Sequence, residues 1–102
     1  MPDSKELSWA WVTADQLLSH GPCELLFAYL VVSAGSTDTH LYDGEGALGD
    51  KIVTLESAAV TGQPFKPPEP IYCRRGLYVD VGTNVTGILV QWRELGHEER
   101  GE

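Results

Sequence analysis

The run Cys23-Glu24-Leu25-Leu26-Phe27-Ala28-Tyr29-Leu30-Val31-Val32-Ser33 constrains the fold more than any other part of the chain. Both of its alternating sets are apolar: Leu25, Phe27, Tyr29 and Val31 on one side, Leu26, Ala28, Leu30 and Val32 on the other. A strand of this kind is central and covered on both faces, or has an outer face that meets a partner chain. A helix of this length is the alternative. The Leu30-Val31-Val32 end and the turn chemistry of Ala34 to Asp38 favour the strand.

Similar reasoning extends along the chain. Leu7 to Thr13 alternates so that Trp9 and Trp11 share one face of a first strand. Ala14 to His20 is a short helix or a short strand, stopped by Gly21-Pro22. Thr39 to Asp43 reads as a short strand, Gly44 to Asp50 as a glycine-rich loop, and Lys51 to Ser57 as a strand with Ile52 and either Val53 or Leu55 inward. Gln63 to Pro70 carries Pro64, Pro67, Pro68 and Pro70; proline lacks the backbone donor and fixes φ, so this segment is expected to cross between sheets without joining a ladder. Ile71 to Cys73, Leu77 to Val81 and Val85 to Arg93 follow as strands, with Arg74-Arg75-Gly76 as a turn in which Gly76 can take a positive φ.

About seven or eight short strands, roughly ten residues apart, describe an all-β chain. The expected architecture is a single antiparallel β-sandwich over residues 1–95, jelly-roll-like or immunoglobulin-like, with 96–102 as a polar, flexible tail. A chain of 102 residues fits one core. The N-terminal MPDSKELSWAWV has no apolar run long enough for a signal h-region and no segment approaches the length of a membrane span, so the chain reads as cytosolic when made, and the Asn84-Val85-Thr86 glycosylation pattern as accidental.

The formal net charge of −8 repels phosphate backbones and argues against a nucleic-acid partner. Asp and Glu lack the regular spacing of a nucleic-acid mimic. The two cysteines, Cys23 and Cys73, are too few for a disulfide scaffold and too isolated for zinc; they read as buried thiols, with a bridge as the alternative because each flanks a strand end. His20, His40 and His97 have no partners at metal-binding spacing. Asp38, Asp43, Glu45 and Asp50 crowd one region and are weak calcium candidates, against a plain solvated acidic loop; their spacing is not that of an EF-hand. Gly44, Gly46 and Gly49 match no phosphate-loop fingerprint. Neither a nucleophile elbow nor a convergent acid–base set occurs, so the chain reads as non-enzymatic, with no cofactor.

Trp9, Trp11 and Tyr42 could instead form a sugar-stacking platform, making the chain a small carbohydrate-binding module. Trp9, Trp11, Phe27 and Tyr29 are interface candidates, against the alternative that they fill the core. Arg74 and Arg75, the only adjacent cations, are expected at an exposed turn, paired with carboxylates of this chain or of a neighbouring subunit.

The segments Gly21-Pro22-Cys23-Glu24-Leu25-Leu26, Leu41-Tyr42-Asp43-Gly44, Phe65-x-Pro67-Pro68-x-Pro70, Gly76-Leu77-Tyr78-Val79 and Asn84-Val85-Thr86-Gly87-x-Leu89-Val90 together resemble a group of small β-sandwich proteins encoded among the virion structural genes of tailed bacteriophages. The resemblance runs from about Leu17 to Arg93 and rests on turns and strand starts, with no catalytic motif. It implies a capsid decoration, head-fibre or connector component: a structural protein of the virion, made in the host cytoplasm, homo-oligomeric, and bound to capsid or tail proteins. No nucleic acid or membrane partner is implied. Excess apolar strand surface that needs covering fits this expectation.

Overall fold

The computed structural model describes residues 7–33, 37–57 and 62–95. Within them the chain forms nine strands: β1 (Leu7–Val12), β2 (Gln16–Ser19), β3 (Cys23–Val32), β4 (Thr37–Asp43), β5 (Asp50–Ser57), β6 (Gly62–Phe65), β7 (Ile71–Cys73), β8 (Leu77–Asp80) and β9 (Val85–Glu94). This exceeds the seven or eight expected. All pairings are antiparallel. One sheet runs β1-β9-β3-β6, with β7 also on β3; the other runs β2-β8-β4-β5. The segment before Gly21-Pro22 is a strand, and Thr37 and Asp38, expected in a turn, open β4. Residues 34–36 of that turn and the 96–102 tail lie outside the described residues.

The pairs β1 with β9, β2 with β8, β3 with β6 and β4 with β5 nest inside one another. The chain therefore folds as a long hairpin, from the β4–β5 end outward, rolled over so that successive pairs alternate between sheets. This is the jelly-roll form of the β-sandwich, with β7 as an addition. Inward side chains of both sheets make one core, in which Leu25, Leu30, Leu41, Leu77, Val79 and Ile88 are wholly buried. Each buried aliphatic side chain of this size contributes roughly 1.5–3 kcal/mol.

A β-bulge in β3 decides what faces out. Leu25 pairs with Trp92 and Phe27 with Gln91, so Leu26 is an extra residue on this strand. Before the bulge Cys23 and Leu25 point inward; after it Ala28, Leu30 and Val32 do. The alternating set of Leu25, Phe27, Tyr29 and Val31 is thus split: Leu25 joins the core, while Phe27, Tyr29 and Val31 lie on the outer face. In β5, Leu55 is buried and Val53 half-buried opposite Leu41, with Ile52 as the extra residue of another bulge.

The expectation that Gln63 to Pro70 stays outside any ladder is corrected. Gly62 to Phe65 is β6, and Pro64 pairs with Tyr29. The strand lies at the sheet edge, paired among the described residues with β3 alone, where a missing N–H can face outward at no cost in ladder bonds. β6 and β7 share one edge of β3, meeting Ala28–Val31 and Cys23–Leu25 respectively. The run containing Pro67, Pro68 and Pro70 interrupts that edge between them.

Candidate functional site

The outer face of the β1-β9-β3-β6 sheet is built in rows across the strands. Trp11, Leu89, Tyr29 and Pro64 form one row; Trp9, Gln91 and Phe27 the next; Leu7, Arg93, Glu24 and Tyr72 the third. Trp9 is 68% exposed, Trp11 46% and Tyr29 38%, so these rings are surface, not core. Phe27 is half-buried beside them.

Two glycines make this face flat. Gly87 and Gly62 both pair with Val31 and flank it. A Cβ at Gly87 would collide with the Trp11 indole, and one at Gly62 with the Tyr29 phenol, so each ring lies down over a glycine. The charged pair in the third row compensates itself, Arg93 Nε donating to Glu24 Oε1 at 3.2 Å.

The opposite outer face differs. The cross-strand neighbours there are Asp80, His40 and Thr54, then Asp38 and Glu56. His40 Nδ1 lies 2.9 Å from Thr54 Oγ1, and its Nε2 3.7 Å from Asp38. Tyr42 belongs to this sheet, its ring 6.4 Å from that of Tyr78. It is therefore separated from Trp9 and Trp11 by the core, and the three do not form one platform; Tyr29 takes its place beside the tryptophans.

At one end of the sandwich, Arg74-Arg75-Gly76 carries the chain from β7 in one sheet to β8 in the other. Asp43, the last residue of β4, holds this turn: Oδ2 accepts the Arg74 N–H at 3.1 Å and Oδ1 the Arg75 N–H at 2.8 Å. Arg75 Nη2 donates to Asp50 Oδ2 at 3.0 Å. Arg74, Arg75, His20, Gly21-Pro22 and the 44–49 loop line a cleft of about 830 Å³, with Leu48 fully exposed.

The four calcium candidates are not gathered for a metal. Asp38 opens β4 and Asp43 closes it, about 16 Å away at strand rise. Asp43 and Asp50 serve the arginine turn. Among the described residues, no group of three or more His, Cys, Asp or Glu side chains could hold a metal ion. His20, just after β2, lines the cleft while His40 lies within β4 away from it, and His97 falls outside the described residues.

Cys23 and Cys73 are directly opposed on β3 and β7, both with no exposed surface. The Cys73 thiol donates to the Ile71 carbonyl at 3.6 Å. The neighbouring Cys73 thiol lowers the Cys23 thiol from its ordinary range, while the nearness of Cys23, with burial, pushes Cys73 up.

Tyr72, Leu7 and Leu89 complete the outer rows and were not singled out from the sequence. The isolated Gly87 inside a strand pattern was the available signal, since such a glycine marks a close approach. Among the described residues, no helix is long and apolar enough to cross a membrane. Compared with known protein families, curated proteins and solved structures, the chain matches none.

Proposed function

We propose that this chain is a non-enzymatic structural protein of a tailed bacteriophage particle, which assembles with copies of itself and binds a repeated capsid or tail surface. The observation that carries this reading is the row Trp11, Leu89, Tyr29 and Pro64, apolar across four strands on the outside of an acidic protein. Such a face costs solvation free energy until it is covered, and a second copy covers it in a closed symmetric arrangement. The only ionised side chains in the three rows, Arg93 and Glu24, neutralise each other, so the face can meet its own copy without the repulsion expected of a chain of net charge −8. The phage setting rests on the resemblance of the turns and strand starts, and on the use of jelly rolls in viral capsid domains, which is an argument by analogy.

Sedimentation at micromolar concentration tests the assembly, and an antibody against the purified protein, applied to gradient-purified particles of the phage encoding it, tests the setting. A discrete oligomer, and a signal that travels with the particles, are the expected results. A monomer that is absent from particles would end this reading.

A second reading has its own observation. Rings laid flat over Gly87 and Gly62 suit stacking on a sugar face, so a carbohydrate-binding module remains the alternative. Glycan-array binding that is lost on Trp11→Ala would favour it.

A further inference from the structure

We propose that Cys23 and Cys73 form a reversible cross-strand disulfide site, a dithiol under reducing conditions and a bridge under a low-molecular-weight disulfide oxidant such as glutathione disulfide, which fastens β7 to β3. This inference is independent of the proposed function.

Directly opposed residues of an antiparallel pair have Cα atoms about 4.5–5.5 Å apart, inside the range a disulfide spans. Both side chains are wholly buried in the same core, which places the two thiols side by side across the β3–β7 pair. The chain has no other cysteine, so an intramolecular bridge has one possible pairing. The free, directly opposed pair is thus the reduced member of a couple whose oxidised member needs little backbone movement.

Access comes from β7 itself. It has three residues, lies on a sheet edge, and among the described residues pairs only with β3. Local opening of such an element costs far less than global unfolding. The Cys23 thiolate, favoured by the neighbouring Cys73 thiol, then attacks one sulfur of glutathione disulfide and expels a glutathione thiolate. Cys73 gives its proton to that thiolate, attacks the Cys23 sulfur, and expels the second glutathione, which takes a proton from water. One disulfide is consumed and one formed; two electrons pass from the cysteines to glutathione, and two glutathione thiols leave.

The bridge would act on the crossover between sheets. Cys73 is followed at once by Arg74-Arg75-Gly76, the turn that Asp43 holds and that lines the cleft. Fixing Cys73 therefore fixes one end of that turn, and reduction leaves it dependent on the short β7 ladder and on Asp43.

The test equilibrates the folded protein, and in parallel protein refolding from denaturant, in glutathione buffers of stepped oxidation. Acid quenching, alkylation in denaturant and intact mass then follow. The expected product in oxidising buffer is a monomer lighter by two hydrogens that takes up no alkylating agent. Because the bridge closes a loop of about 50 residues, its melting temperature should exceed that of the dithiol form by on the order of 10 °C. Reducing buffer should restore both thiols, and Cys23→Ser or Cys73→Ser should abolish the mass change. Two alkylated thiols at every ratio in both arms, a product that is a mixed disulfide or a covalent dimer, or a bridged form that melts below the dithiol form would each overturn the proposal.

Discussion

Asp43 and Arg75 are joined twice across the end of the sandwich: the Asp43 carboxylate accepts the Arg75 backbone N–H at 2.8 Å, and the Arg75 guanidinium reaches back to the Asp43 carbonyl at 3.4 Å. With the Arg74 N–H on the other carboxylate oxygen, Asp43 supplies acceptors for two consecutive donors of a turn that has no ladder to satisfy them. The acidic residue closing β4 therefore binds backbone, and the arginine pair is ordered by it.

Asp43→Ala removes both acceptors and should lower stability by about 1–2 kcal/mol, discounted for exposure from charge-assisted bonds buried elsewhere. Asp43→Asn retains one acceptor and should cost less. Chemical denaturation of the two variants beside wild type checks the order; equal loss in both would mean that the carboxylate geometry is immaterial.

Gly76 has φ of +145° and is buried, and a Cβ there would stand 2.6 Å from the Ser19 carbonyl oxygen and 2.9 Å from that of Gly44. Gly76→Ala is therefore expected to destabilise by about 2–4 kcal/mol, combining a forbidden backbone conformation with two backbone clashes. The same unfolding measurement reads it, and a change under about 1 kcal/mol would show that the turn can relax around a methyl group.

Gly87→Ala should lift the Trp11 ring from its bed at the sheet surface, shifting tryptophan fluorescence while costing about 1 kcal/mol or less of stability. Trp9→Ser, at a more exposed ring, should leave the melting temperature within a few degrees of wild type yet weaken the proposed self-association at least tenfold. Unchanged sedimentation of Trp9→Ser would move the interface away from this face.

Tyr78 provides the pH prediction. Burial, followed by the neighbouring charges of Asp15 and Asp80, raises its phenol above the ordinary value of 10.0. The folded state thus resists ionisation that the unfolded chain accepts. Its contribution is present in full below about pH 10 and falls away as pH rises through the folded value. Absorbance titration near 295 nm, with Tyr78→Phe subtracted, should isolate a component above that of free tyrosine. A component at or below the free value would contradict the assigned environment.

Strand identity was legible where alternation or a doubly apolar run was long. Leu7 to Val12, Cys23 to Val32 and Val85 to Glu94 needed only period and length, and the Arg74-Arg75-Gly76 turn needed only the glycine. β6 was not legible, because proline forbids a ladder bond only where its nitrogen faces a neighbour. Whether Pro64 faces one depends on its being at an edge, and the edge exists only once β3 has found β9. The candidate face was half legible. Trp9 and Trp11 were known to share a side of one strand, but the side was open.

The sequence by itself determined the all-β class, the positions of most strands and turns, and the acidic surface, because side-chain period, proline and glycine geometry and formal charge are local properties. Tertiary structure alone decided the direction of the aromatics and the meeting of the cysteines. One extra residue at Leu26 reverses the parity of β3 and sends Phe27 and Tyr29 outward beside the tryptophans. The opposition of Cys23 and Cys73 depends on a pairing between strands about 50 residues apart in sequence, a distance over which loop closure leaves no local trace.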